Sequence, residues 1–169
     1  MDERRAPEAA GTRQTTTERR GDRELVVTRS FDGPARLVFL AWSRPELLRR
    51  WWVPESFPVK LLSCEADVRT GGTYRLEFGV PGRDEPLAFF GRYIEVVPPT
   101  RIVWSNDEDG GGGPVTTVTF EERDGWTHIV LTDRYPSGAA LEEAIASGSV
   151  SGYAEQFEAL EALLGTLGE

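Results

Sequence analysis

Near the end of the chain runs Tyr153-Ala154-Glu155-Gln156-Phe157-Glu158-Ala159-Leu160-Glu161-Ala162-Leu163-Leu164. Tyr153, Phe157, Leu160 and Leu164 fall at i, i+4, i+7 and i+11, one face of an α-helix, while Glu155, Glu158 and Glu161 take the other. A single amphipathic helix cannot bury its own stripe, so it needs an apolar surface elsewhere in the chain. The helix is expected from about Ser149 to the end, with a shorter helical stretch at Ala139 to Ala146 after Pro136.

Reading backwards, the required surface is β. Trp126 to Asp133 and Val115 to Glu122 are strands joined by the turn Asp124-Gly125, and Arg101 to Ser105 precedes them across the loop Asn106 to Pro114. Pro98-Pro99 separates that strand from Leu87 to Val97, and the glycine- and proline-rich Gly79 to Pro86 marks another hairpin. Thr73 to Phe78 puts Tyr74, Leu76 and Phe78 on one face, and Arg69-Thr70-Gly71-Gly72 turns back to Lys60 to Val68. Links this short demand antiparallel pairing.

Ahead of these strands, Ala35 to Trp42 places Val38, Phe39 and Trp42 on one helical face, and Ser43 is expected to cap a second short helix, Pro45 to Trp51. The first strand, Glu24 to Phe31, is β-branched and stops at Asp32-Gly33-Pro34. Residues 1–22 hold no aromatic residue and no apolar period, and read as a disordered tail, leaving 23–169 as one domain. The expected class is α+β: a seven-stranded curved antiparallel sheet wrapped around a long C-terminal helix, with two short helices between strands one and two.

Composition narrows the partners. With 39% hydrophobic and 28% charged residues the chain can form a core without disulfides, and Cys64 is its one cysteine. A formal net charge of -9 disfavours nucleic acid and anionic membrane surfaces. No signal peptide or apolar run of spanning length is evident, so membrane insertion is not expected and a cytoplasmic location is the default.

The order of elements, with Trp51-Trp52, Asp67-x-Arg69-x-Gly71-Gly72-x-Tyr74, Gly91-Arg92-Tyr93 and Pro98-Pro99-x-Arg101-Ile102, resembles the START-like helix-grip superfamily. Val118-Thr119-Phe120-Glu121 and the stretch from Gly148 to Leu160 point to its Hsp90-ATPase-activator-homologue branch, although the usual Gly-Trp opening of the last helix is here Gly152-Tyr153. The resemblance covers about Glu24 to Leu164 and implies a cavity between helix and sheet. It implies that Trp52, Phe57, Tyr74, Phe78, Phe90 and Trp104 lie on or near the inner surface. Phe120, Tyr153 and Phe157 join them on the same ground, with Leu76 and Val118 as further apolar wall.

Such a cavity suits a flat hydrophobic small molecule, aromatic or polyketide-like, held by a cyclase-like, accessory or self-resistance protein of secondary metabolism. The alternative is a chaperone-activator-like protein interaction module. A further option is sacrificial protection, with backbone cleavage near Gly110 to Gly113. Either way a monomer or weak homodimer is expected. Trp52 to Pro58, the Gly79 to Pro86 hairpin and the glycine-rich loop would form the mouth.

Catalytic signatures are sparse. His128 is the single histidine and alternates with the apolar Ile129 and Leu131, which points it to the outer side of its strand, so neither a metal centre nor a serine triad is expected. Gly110 to Gly113 fits no phosphate-binding pattern, the serines of Gly148-Ser149-Val150-Ser151-Gly152 suit helix capping, and no cofactor is expected. Asp133 shares a strand face with Ile129 and Leu131, which makes it the candidate acid, base or polar anchor, with a solvated strand end as the alternative reading. Tyr74 and Tyr153 are the only other groups offered for that role.

Overall fold

The computed structural model describes residues 14–53, 59–107, 113–146 and 153–167. Along the chain lie β1 (Thr16–Arg20), β2 (Glu24–Asp32), α1 (Ala35–Ser43), α2 (Pro45–Trp51), β3 (Lys60–Ala66), β4 (Thr73–Gly79), β5 (Leu87–Val97) and β6 (Arg101–Ser105). Then come β7 (Val115–Arg123), β8 (Trp126–Arg134), α3 (Gly138–Ala146) and α4 (Tyr153–Leu167). The strands form one curved antiparallel sheet in the order β1-β2-β8-β7-β6-β5-β4-β3. This is the expected α+β helix-grip arrangement, with eight strands in place of seven.

The added strand is β1, drawn from the stretch read as tail. Its residues Thr-Thr-Glu-Arg-Arg are all exposed, so there is no apolar alternation to betray it. What holds it is the backbone ladder to β2, from Thr16↔Thr28 to Arg20↔Glu24. Residues 1–13 lie outside the described ones.

Strand β5 has two neighbours in succession. Its first half pairs with β4, from Phe78↔Leu87 to Thr73↔Arg92, and its second half with β6, from Tyr93↔Trp104 to Val97↔Arg101. At the handover a Cβ on Gly91 would sit 2.0 Å from the Ser105 carbonyl oxygen and 3.0 Å from the Tyr74 ring. Only glycine lets the strands approach so closely. The turn before β4 closes the corner, since Tyr93 N–H donates to Gly72 O and Gly71 N–H to Tyr93 O, each at 2.8 Å.

Helices α1 and α2 follow β2 directly. Ser43 does not cap α2 as expected; it ends α1 and its hydroxyl donates back to Leu40 O, while Arg44 holds the cap position. The two helices are tied by the indole N–H of Trp51, which donates to Ala41 O at 3.0 Å. Trp42 then stands at the centre of an aromatic cluster, its ring 4.8 Å from Trp51, 6.0 Å from Trp104, 5.9 Å from Phe120 and 6.3 Å from Phe157. Most of these contacts are edge-to-face or tilted, the arrangement that sets positive ring edges against negative faces.

Helix α4 buries Phe157, Leu160, Leu163 and Leu164. It packs on α1 and α2 as well as β2, so its stripe meets helices in addition to the sheet. Glu161 departs from the solvent face: it pairs with Arg29, which is 3% exposed and lies 4.9 Å over the Phe31 ring. A buried guanidinium has to be paired to be tolerated, which explains a carboxylate on the inner flank of the helix.

Replacing Gly91 by alanine should force Ser105 and Tyr74 apart and cost about 3 kcal/mol, the upper range for overpacking. Urea denaturation of Gly91→Ala checks this, and an unchanged midpoint would contradict the close approach.

Candidate functional site

Where the sheet turns its corner, a pocket remains between the helices and the inner faces of β4, β5 and β6. Trp42, Leu48 and Trp52 supply the helical side, and Leu76, Ile102 and Trp104 the apolar floor. Tyr74, Tyr93 and Asn106 bring the polar atoms, and Phe89 forms the lip, 47% exposed. The enclosed volume is about 50 Å³. Pockets that engulf a drug-sized ligand measure about 300 to 1,000 Å³, so this one encloses at most part of a ring and leaves the rest of any ligand outside. The Trp42 cluster packs behind it.

Four of the residues singled out from the sequence stand in this wall: Trp52, Tyr74, Leu76 and Trp104. Phe78 is buried beside it and meets Phe89 edge-to-face at 5.0 Å, backing the lip. Phe90 points the other way. Successive strand residues face opposite sides, and the register Leu76↔Phe89 turns Phe89 inward while Phe90 lies under the Arg75 guanidinium at 5.6 Å. Val118, Phe120 and Phe157 belong to the closed core behind Trp42 and do not line the pocket. Phe57 lies outside the described residues, as do 54–58 and 108–112 of the expected mouth.

The sequence reading missed Trp42, Leu48, Phe89, Tyr93, Ile102 and Asn106 as wall. For β5 the signal was present: Phe89, Gly91 and Tyr93 share a parity, and Gly91 must face the crowded side. For Trp42 and Leu48 it was not, because helical periodicity says which face is buried but not what that face meets.

A chain of hydrogen bonds leads from the pocket to Asp133. The Tyr74 hydroxyl lies 2.7 Å from Ser105 O and 3.2 Å from Asn106 Oδ1. Asn106 Nδ2 donates to Pro114 O at 2.8 Å and to Thr116 Oγ1 at 3.3 Å. Thr116 in turn donates to Asp133 Oδ1 at 2.6 Å, and Tyr153 to Asp133 Oδ2 at 2.5 Å.

Asp133 is 5% exposed, and no Arg or Lys forms an ion pair with it among the described residues. Burial pushes its carboxyl above the ordinary value of 3.8, and the bonds from Thr116 and Tyr153 pull it partway back. Burial, then the Asp133 charge, drives Tyr153 well above 10.0, and the same pair of causes takes Tyr135 up to about 12. Of the two sequence readings of Asp133, the buried one holds, yet neither Asp133 nor Tyr153 touches the pocket wall. Their geometry ties the start of α4 to β8 and β7.

The remaining candidates are structural. His128 is half-buried on the outer side of β8, its Nδ1 3.1 Å from Ser30 Oγ. Burial raises the Cys64 thiol, with the Arg49 charge drawing it back, so it lacks thiolate character. Among the described residues, no group of three His, Cys, Asp or Glu side chains is placed to hold a metal ion, and no helix is long and apolar enough to cross a membrane.

A sheet folded over a terminal helix, with a pocket at the corner, defines a START-like helix-grip domain. The chain belongs to the family described as activator of Hsp90 ATPase homolog 1-like protein, whose model matches residues 32–165. Solved structures share the fold. A Rhodobacter sphaeroides protein is similar with a TM-score of 0.81 at 20% identity, over 91% of this chain and 99% of that one. A Nitrosomonas europaea protein gives 0.79 at 20%, over 89% and 99%, and a Mycobacterium smegmatis protein 0.77 at 25%, over 91% and 99%. No curated protein matches the chain.

The raised Asp133 carboxyl has a consequence for stability. The folded chain holds this proton more tightly than the unfolded one, so the stabilisation is complete below pH 3.8 and is lost as pH rises through the native value. The melting temperature of wild type minus that of Asp133→Asn should therefore be highest near pH 4 and fall toward pH 8. A difference that stays flat or rises over that range would show that Asp133 is not held as described.

Proposed function

We propose that the protein binds a small hydrophobic molecule through an aromatic ring inserted at the corner pocket. The observation that carries this is an indole-rich apolar recess, open beside Phe89, set against a packed aromatic core. A ring that buries about 120 Å² of apolar surface gains roughly 3 kcal/mol. Even before the cost of association that gain corresponds to a Kd of no better than several millimolar, so a bare ring binds weakly and larger ligands gain from the surface outside. An aromatic or polyketide-like compound can offer one ring to the pocket while its remainder lies along the lip. Cyclase-like, accessory and self-resistance roles are all consistent with such holding, because positioning alone can steer a reaction. Among the described residues, the phenols of Tyr74 and Tyr93 are the acid–base groups that border the recess, and the reading is binding.

One surface feature favours a second reading, a protein-interaction module. Leu87 and Phe89 are 36% and 47% exposed and share one face of β5, an apolar strip of the kind that partners cover. Stimulation of an Hsp90 ATPase by the protein, lost on Leu87→Ser, would favour this reading.

Toluene, a bare ring, tests the ligand reading. Titration should shift the indole N–H resonances of Trp52 and Trp104, and Phe89→Ala should weaken binding about fivefold, the equivalent of about 1 kcal/mol. Phe89 is exposed enough for its removal to leave the fold intact. Shifts confined to other tryptophans would place the ligand elsewhere.

A further inference from the structure

The polar end of the pocket has a direction. Asn106 is oriented by the Pro114 carbonyl, which can only accept and therefore fixes Nδ2 on its side at 2.8 Å. The second Nδ2 hydrogen is directed at Thr116 Oγ1 at 3.3 Å, whose own proton goes to Asp133. Both amide donors of Asn106 thus point into the protein, and what the residue has left to offer is its Oδ1. Tyr74 does not use that oxygen up: its single hydroxyl proton is shared between Ser105 O at 2.7 Å and Asn106 Oδ1 at 3.2 Å, and an amide oxygen has two lone pairs, so one stays open to a ligand. Asn106 lines the pocket and is only partly buried, so with both amide donors turned inward its carbonyl oxygen is the side-chain polar atom left to face a ligand.

We infer that Asn106 Oδ1 is a specificity-determining acceptor and that the ligand's ring carries a hydrogen-bond donor, as a phenol does. The inference rests on the aromatic-ring reading above and names the substrate class for the same pocket. The sense of the chain does not depend on the charge of Asp133, because the carbonyls of Pro114 and Ser105 fix the Asn106 amide and the Tyr74 hydroxyl by themselves. An acceptor brought to Asn106 Oδ1 would set oxygen against oxygen. A donor there gains a hydrogen bond in a recess whose walls are apolar.

Two probes of nearly equal shape separate the possibilities: p-cresol, which donates, and 4-fluorotoluene, which does not. In the full chain, p-cresol should bind about fivefold more tightly, although water competes harder for it, and it alone should shift the Asn106 side-chain amide resonances. Asn106→Ala should abolish the preference while 4-fluorotoluene still binds. The wild-type comparison stands without the variant, should that change unsettle the loop. Equal affinities, or a preference for 4-fluorotoluene with the Asn106 amide unmoved, would overturn the donor requirement and leave the aromatic reading standing. Binding of neither probe would remove both.

Discussion

The architecture depends on one strand changing partners halfway along. Strand β5 belongs to β4 until Arg92 and to β6 from Tyr93, and the change is possible because Gly91 has no side chain where the Ser105 carbonyl passes. Ser105 is gripped at this point from three directions: the close approach of Gly91, the Arg92 N–H on its hydroxyl at 3.0 Å, and the Tyr74 hydroxyl on its carbonyl. The bend so enforced turns the inner faces of β4, β5 and β6 toward one another. It brings Tyr74, Phe89, Tyr93 and Trp104 around a common space without any helix having to place them.

What that space can hold is decided by the opposite wall. The two short helices deliver Trp42, Trp51 and Trp52 within a few residues, and the Trp42 ring is locked among five other aromatic rings. Close-packed interiors resist rearrangement, since each displaced ring loses many weak contacts at once. The recess is therefore a small notch beside a packed aromatic cluster, and larger ligands must use the lip. This differs from the roomier hollow that the family resemblance implies.

Much of the fold could be read from the chain because its signals are local. The terminal helix repeats its apolar residues at helical spacing, and the hairpins announce themselves by Asp124-Gly125 and Pro98-Pro99. Strand β1 was illegible for a physical reason: it sits at an edge with both faces wet, so hydrophobic patterning carries no information about it. Glu161 was misjudged because period alone cannot foresee a buried Arg29 waiting across the interface. The site was half legible. Tyr74 and Leu76 on β4 followed from alternation and Trp104 on β6 from the family resemblance, Phe90 was chosen where the neighbouring Phe89 faces inward, and Asn106 looked like ordinary loop. Its importance comes from partners at Pro114 and Thr116, which no local pattern reveals.

The loop between β6 and β7 closes on a tight neck. Asn106 holds the Pro114 carbonyl with both its backbone N–H, at 3.2 Å, and its side chain, and a Cβ on Gly113 would come within 2.4 Å of the Asn106 carbonyl oxygen. Such a collar ties the two ends of the connection to each other, so the seat of Asn106 in the pocket wall is set by the neck itself. Protein engineers have in that neck a natural pair of anchor points for grafting new sequence.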